Sequence, residues 1–152
     1  MSATERHAPQ GFHPVTPYLI VNNASAAIDF YGRAFGAVEL SVNKNDNGKV
    51  LHAEVSIGDS PVMLAEECEF NGIVARSPHA LGGISMQLYL YVPDVDGLVA
   101  RALSAGAKEV MPVADQPYGD RSGGVVDPFG HVWWLATSLS SRTSHAPAGT
   151  GG

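Results

Sequence analysis

At 152 residues, 45% hydrophobic and 16% charged, the chain suits one compact domain or two small fused modules, and it is too apolar to be a disordered protein. Its net charge of −6 lacks the basic footprint that binding to a phosphate backbone requires, which excludes nucleic acid as an expected partner. No apolar run is long enough to span a bilayer, so the expectation is a cytoplasmic protein with no membrane partner.

In chain order, residues 1–13 read as a loose tail and residues 14–137 as a single folded domain. Its first module, about 14–67, opens with the strand "VTPYLIV". A helix follows from about Ala24 to Phe35, capped by Asn23 or Ser25 and closed by Gly36. Three strands come next, "AVELSVN", "VLHAEVSI" and "PVMLAEE", separated by turns at Gly48 and "GDSP". Residues 68–83, "CEFNGIVARSPHALGG", read as a linker. They carry the one cysteine, Cys68, whose neighbours Glu66, Glu67 and Glu69 disfavour a thiolate, so it is not read as a nucleophile. The second module, about 84–137, repeats the plan. Strand "ISMQLYLYV" precedes a helix from about Val95 to Ala105 between Asp94 and Gly106, and "KEVMPVA", "SGGVVD" and "HVWWLAT" follow, with "DPFG" as the last turn. Residues 138–152 form a second tail.

Two such modules are a duplication. Tyr18 and Tyr89 stand 71 residues apart, Gly36 and Gly106 stand 70 apart, and "PVMLA" falls on "HVWWL" at a spacing of 70. Alternation then separates the faces of each sheet. Ala53, Val55 and Ile57 belong under a helix, as do Leu88 and Leu90. The opposite faces carry Tyr18, His52, Glu54 and Glu66 in one module, and Gln87, Tyr89 and Tyr91 in the other. Adjacent strand residues point to opposite faces, so Trp133 is expected in the core, burying on the order of 200 Å², and Trp134 on the uncovered face. The fold class is α+β, with two fused βαβββ modules whose curved mixed sheets enclose a cavity.

The duplication together with "AIDFYGRAFGA", "HAEVSIGDSPVMLAEE", "YGDRSG" and "DPFGHVWWLAT" resembles the glyoxalase/bleomycin-resistance, or vicinal oxygen chelate, superfamily, and within it the PhnB-like branch. The resemblance implies the glyoxalase/bleomycin-resistance/dihydroxybiphenyl dioxygenase fold and a homodimer, with modules paired within a chain or across two. It also implies four metal-ligand positions, which carry His, Glu or Gln in metal-binding members. Carried over by the strand motifs, they fall on Thr16, Leu64, Gln87 and Trp134. Leu64 and Trp134 offer a divalent metal no suitable lone pair, so neither a metal nor another cofactor is expected.

Two functions follow. The first is metal-free binding of a planar, antibiotic-like aromatic molecule, with Tyr18, His52, Glu54, Glu66, Gln87, Tyr89, Tyr91 and Trp134 as ligand-binding candidates. The second is an enzyme of lyase, isomerase or dioxygenase type, using an unconventional metal site or a catalytic acid–base pair of His52 and Glu54. Trp134 can instead fill the space of an absent metal. His52 and Glu54 can pair structurally, with each other or with Arg121, while Asp120 and Arg121 read as a turn with a local ion pair.

Overall fold

The computed structural model describes residues 7–139; of the expected tails, residues 1–6 and 140–152 lie outside that range. Along it run β1 (Tyr18–Val21), α1 (Ala24–Phe35), β2 (Val38–Lys44), β3 (Val50–Ile57), β4 (Ser60–Glu66), β5 (Cys68–Phe70), β6 (Ile73–Ala75) and α2 (Pro78–Leu81). The second half supplies β7 (Leu88–Tyr91), α3 (Val95–Ala105), β8 (Lys108–Asp115), β9 (Asp120–Val126) and β10 (Val132–Ser138). Both long helices begin and end where their caps predict. The Asn23 side chain accepts the amide of Ala26 and Asp94 that of Gly97, satisfying amides that the first turn leaves unpaired, while Gly36 closes α1 at φ 70°.

Each module forms a four-stranded sheet, β1-β4-β3-β2 and β7-β10-β9-β8, with its first strand parallel to its last and the other pairs antiparallel. These are the two βαβββ units of an α+β fold. Pairing also corrects one equivalence. Tyr18 lies beside Met63 and Leu19 beside Leu64, just as Tyr89 lies beside Trp134 and Leu90 beside Leu135, so the last strands repeat at a spacing of 71 residues. On the third strands Ala53 pairs with Leu64 and Gly123 with Leu135, a spacing of 70. The turn before β10 is one residue longer than the turn before β4 and restores the residue that the second helix lacks. A one-residue slip changes the face, so Leu64 is fully buried beneath α1, and Met63 takes the place that matches Trp134.

The connector is also more ordered than a linker. Its "FNGI" forms the β5–β6 hairpin, with Asn71 at φ 49° and Gly72 at φ 79°. Two consecutive positive φ angles are what an Asn-Gly hairpin turn supplies. After it, Ser77 caps the short helix α2.

One core joins the modules. Helix α1 packs against α3 and also reaches the second sheet, where Phe35 and Tyr31 meet Trp133 at ring-centroid distances of 4.9 and 5.5 Å. Trp133 is buried, as alternation requires. Its indole N–H and the Tyr31 hydroxyl both donate to Asp127 Oδ2, at 2.9 and 2.5 Å, while the amides of Phe129 and His131 donate to Oδ1. Burying a carboxylate is costly unless its lone pairs are filled, and four donors fill these. Burial and the Asp127 charge hold the Tyr31 phenol well above its usual pKa, keeping it a donor. His131, whose Nε2 donates to the Ile20 carbonyl at 2.9 Å, ties the last hairpin to β1. The helices thus lie inward, and each sheet's uncovered face turns to solvent.

Candidate functional site

The first uncovered face carries a hydrogen-bonded chain of three side chains. Tyr18 OH lies 2.8 Å from His52 Nδ1, and His52 Nε2 lies 3.0 Å from Glu54 Oε1. A carboxylate accepts, so His52 Nε2–H donates to Glu54 Oε1, while Nδ1 shares a hydrogen bond with the Tyr18 hydroxyl. Burial, followed by the neighbouring Cys68 and Glu54, raises the Tyr18 pKa. His52 and Glu54 therefore pair with each other and not with Arg121. Glu66 does not join them. It pairs with Val21 on the helix-covered side and accepts the Ala24 amide at 3.2 Å, at the first turn of α1.

The second face is aromatic. Trp134 is partly buried, and its Nε1 donates to Gln87 Oε1 at 2.6 Å. Across β9 it faces Gly124, where any β-carbon would collide with the indole. Tyr89 and Tyr91 stand beside it with centroids 5.1 Å apart, and both hydroxyls donate to Asp120 Oδ2, at 2.7 and 3.0 Å. Burial and these bonds push the Tyr89 pKa upward. The local ion pair expected of Asp120 and Arg121 gives way to this arrangement. Alternation along β9 buries Asp120 and sends Arg121 to the other side, where it holds Asp96 at 2.8 Å and Asp115 at 3.0 Å. Asp120, Ser122 and Gly124 share the face of Trp134, so the alternation that located Trp134 also located Asp120, the residue that the turn reading of "GDRSG" missed.

The donor set does not fit a metal at the family positions. Thr16 precedes β1 and donates to the His13 carbonyl, the Gln87 oxygen is engaged by Trp134, Leu64 is in the core, and Met63, which replaces it, offers only a thioether. Among the described residues no three His, Cys, Asp or Glu side chains are grouped to hold a metal ion. Nor does any helix among them have the length and apolarity to cross a membrane.

Duplicated βαβββ modules with polar and aromatic side chains on their uncovered faces define a class of small α+β proteins built from paired modules. Residues 11–135 match the model of the Glyoxalase/Bleomycin resistance protein/Dioxygenase superfamily, and the chain belongs to that family. An uncharacterized protein of Mycobacterium bovis is 44% identical over 122 residues, covering 80% of each chain. TioX from Micromonospora sp. ML1 is similar in structure, with a TM-score of 0.67 and 29% identity over 82% of this chain and 98% of that one. A PhnB protein from Bacillus cereus shares the fold at a TM-score of 0.63 and 20% identity, over 83% of this chain and all (100%) of the other.

Proposed function

We propose that this protein is a metal-free small-molecule-binding member of its family, of the PhnB-like branch, that stacks a planar, cationic aromatic ligand on Trp134. The observation that carries this reading is the mounting of the indole. Gly124 clears space against its ring, Gln87 anchors its N–H, and one part remains accessible. Tyr89 and Tyr91 extend the aromatic surface, and each aromatic contact adds roughly 0.5–1.5 kcal/mol beyond burial. The buried Asp120 carboxylate lies directly behind the tyrosines, which suits a cation.

One chain exposes both faces, with Tyr18, Tyr89 and Tyr91 at 46, 45 and 50%. A homodimer that sets the first face of one copy against the second face of the other encloses the ligand between Trp134 and the Tyr18–His52–Glu54 chain. Mixing tests this. Glu54→Ala and Trp134→Ala proteins should each bind poorly alone, and unfolding and refolding them together should recover a fraction of intact sites. Equal loss before and after mixing would place each site within a single chain.

A second reading is favoured by the Tyr18–His52–Glu54 chain, whose geometry lets His52 accept a proton while Glu54 balances the charge. Glyoxalase, epimerase and dioxygenase substrates left unchanged by protein incubated with nickel, zinc, iron or manganese would leave the binding reading standing. Stoichiometric metal that is lost in His52→Ala and Glu54→Ala proteins would put the enzyme reading first.

A further inference from the structure

The two modules differ in kind at one pair of positions. The spacings that relate them, 71 residues for the first strands and 70 for the third, place Ile20 and Val50 where the second module has Tyr91 and Asp120. Val50 and Asp120 are equally buried, each 1% exposed. An apolar pair therefore satisfies this place in the fold, and packing does not call for the carboxylate, whose burial is costly unless its oxygens are filled. Tyr89 and Tyr91 fill one of them: from half-exposed rings with centroids 5.1 Å apart, both hydroxyls donate to Oδ2, at 2.7 and 3.0 Å. A carboxylate accepts and cannot donate, so both phenol protons point inward and toward the uncovered face the two oxygens can only accept. Burial, followed by the bonds to Asp120 and Tyr118, pushes the Tyr89 pKa upward and keeps its proton in place. The Tyr118 hydroxyl, by contrast, meets Ser122 Oγ at 3.1 Å, where either oxygen can donate, and its direction is not fixed.

We propose that Asp120 is a positioning residue that makes the Tyr89 and Tyr91 hydroxyls fixed acceptors, so that the ligand is a planar aromatic with N–H donors on its edge, a protonated ring nitrogen or an aryl amine, in preference to an N-alkylated cation of the same charge. This rests on the stacking of a planar ligand on Trp134 and narrows it. Tyr89 lies beside Trp134 in the strand register, so a ring on the indole turns its edge to the phenol oxygens. Asp120 is buried and acts through the tyrosines. By accepting their protons it polarises both hydroxyls, which makes each oxygen a stronger acceptor. A charged N–H donor gains most from such an acceptor, and a methylated nitrogen gains nothing.

Equilibrium dialysis of the full chain compares 9-aminoacridine, a cation with N–H donors at neutral pH, with 10-methylacridinium, which has the same fused rings and charge but no N–H. The native protein should bind the first about tenfold more tightly, the scale of one hydrogen bond to a charged group. A Tyr89→Phe, Tyr91→Phe double variant should lose that preference. So should Asp120→Val, which installs the residue that the first module carries at the equivalent position. Its hydroxyls are then able to donate, so xanthone, planar with acceptors only, should bind it more tightly than it binds the native chain. A purely structural Asp120 would lower stability in Asp120→Val and leave the ratio of the two cations as it was. Equal affinities of the two cations for the native protein, or a preference that survives in the double tyrosine variant, would overturn the proposal, and that variant decides the matter if Asp120→Val fails to fold. The platform is read apart from this: unchanged affinity of both cations for Trp134→Ala would sink stacking on Trp134, while the ratio still judges Asp120. Binding of neither cation to the native protein would overturn both.

Discussion

Gly124 and Trp134 are paired across β9 and β10 so closely that a β-carbon on the glycine would stand 2.6 Å from indole Cζ3 and 2.8 Å from Cε3. The missing side chain therefore sets the attitude of the tryptophan. Gly124→Ala should displace the indole, shift its emission and weaken quenching by a planar cation at least fivefold, with folding stability changed by no more than about 1 kcal/mol. Unchanged quenching would show that the ring's position against the strand does not matter for binding.

The two tryptophans should separate binding from folding. Trp134→Ala should weaken ligand binding by about 1–3 kcal/mol, the scale of removing one aromatic side chain from a desolvated pocket. Trp133→Ala, a truncation in the core beside Phe35, should cost roughly 3–5 kcal/mol of folding stability. Titration and urea unfolding of both variants decide the matter. Equal destabilisation, with affinity untouched in Trp134→Ala, would make Trp134 a plug that fills space.

The Asp127 network should hold the two modules in a single cooperative unit. Tyr31→Phe removes one of four donors and should cost about 1–2 kcal/mol. Asp127→Ala strands four buried or half-buried donors at once and should cost about 3–5 kcal/mol. Urea unfolding followed by Trp133 fluorescence and by circular dichroism should give coincident transitions in the native chain. Separate transitions in Asp127→Ala would show that the network couples the modules.

Stability should respond to acid through Glu67. The Ser77 hydroxyl and amide, both on its Oε1 at 2.5 and 3.0 Å, hold this carboxyl below its usual range, with Arg76 and Lys49 adding to the effect. A carboxyl depressed in the folded state stabilises it above the unfolded value of about 4.3, and the contribution is lost as pH falls through the folded value. Ser77→Ala should therefore destabilise the protein more at pH 7 than at pH 3. A penalty independent of pH would assign the role of Ser77 to capping α2 alone.

Much of this protein was legible in local patterns. Helix limits at Asn23–Gly36 and Asp94–Gly106 follow from capping groups a few residues away, and alternation along single strands separates Trp133 from Trp134 and His52 from Ala53. The β5–β6 turn was also written locally, in the Asn-Gly of "FNGI". Pairing register was not, because the length of a hairpin turn is settled by how two strands meet, and the extra residue before β10 gives Met63 the place that matches Trp134 and hides Leu64. Contacts between distant segments were equally beyond reach. Only the packing of α1 onto Trp133, the grip of Asp127 on Tyr31 and the bond from His131 to Ile20 decide that the helices face inward and the two uncovered faces look outward. Those contacts join residues about 100 positions apart, and the burial that drives them depends on three-dimensional proximity, which alternation and capping do not encode.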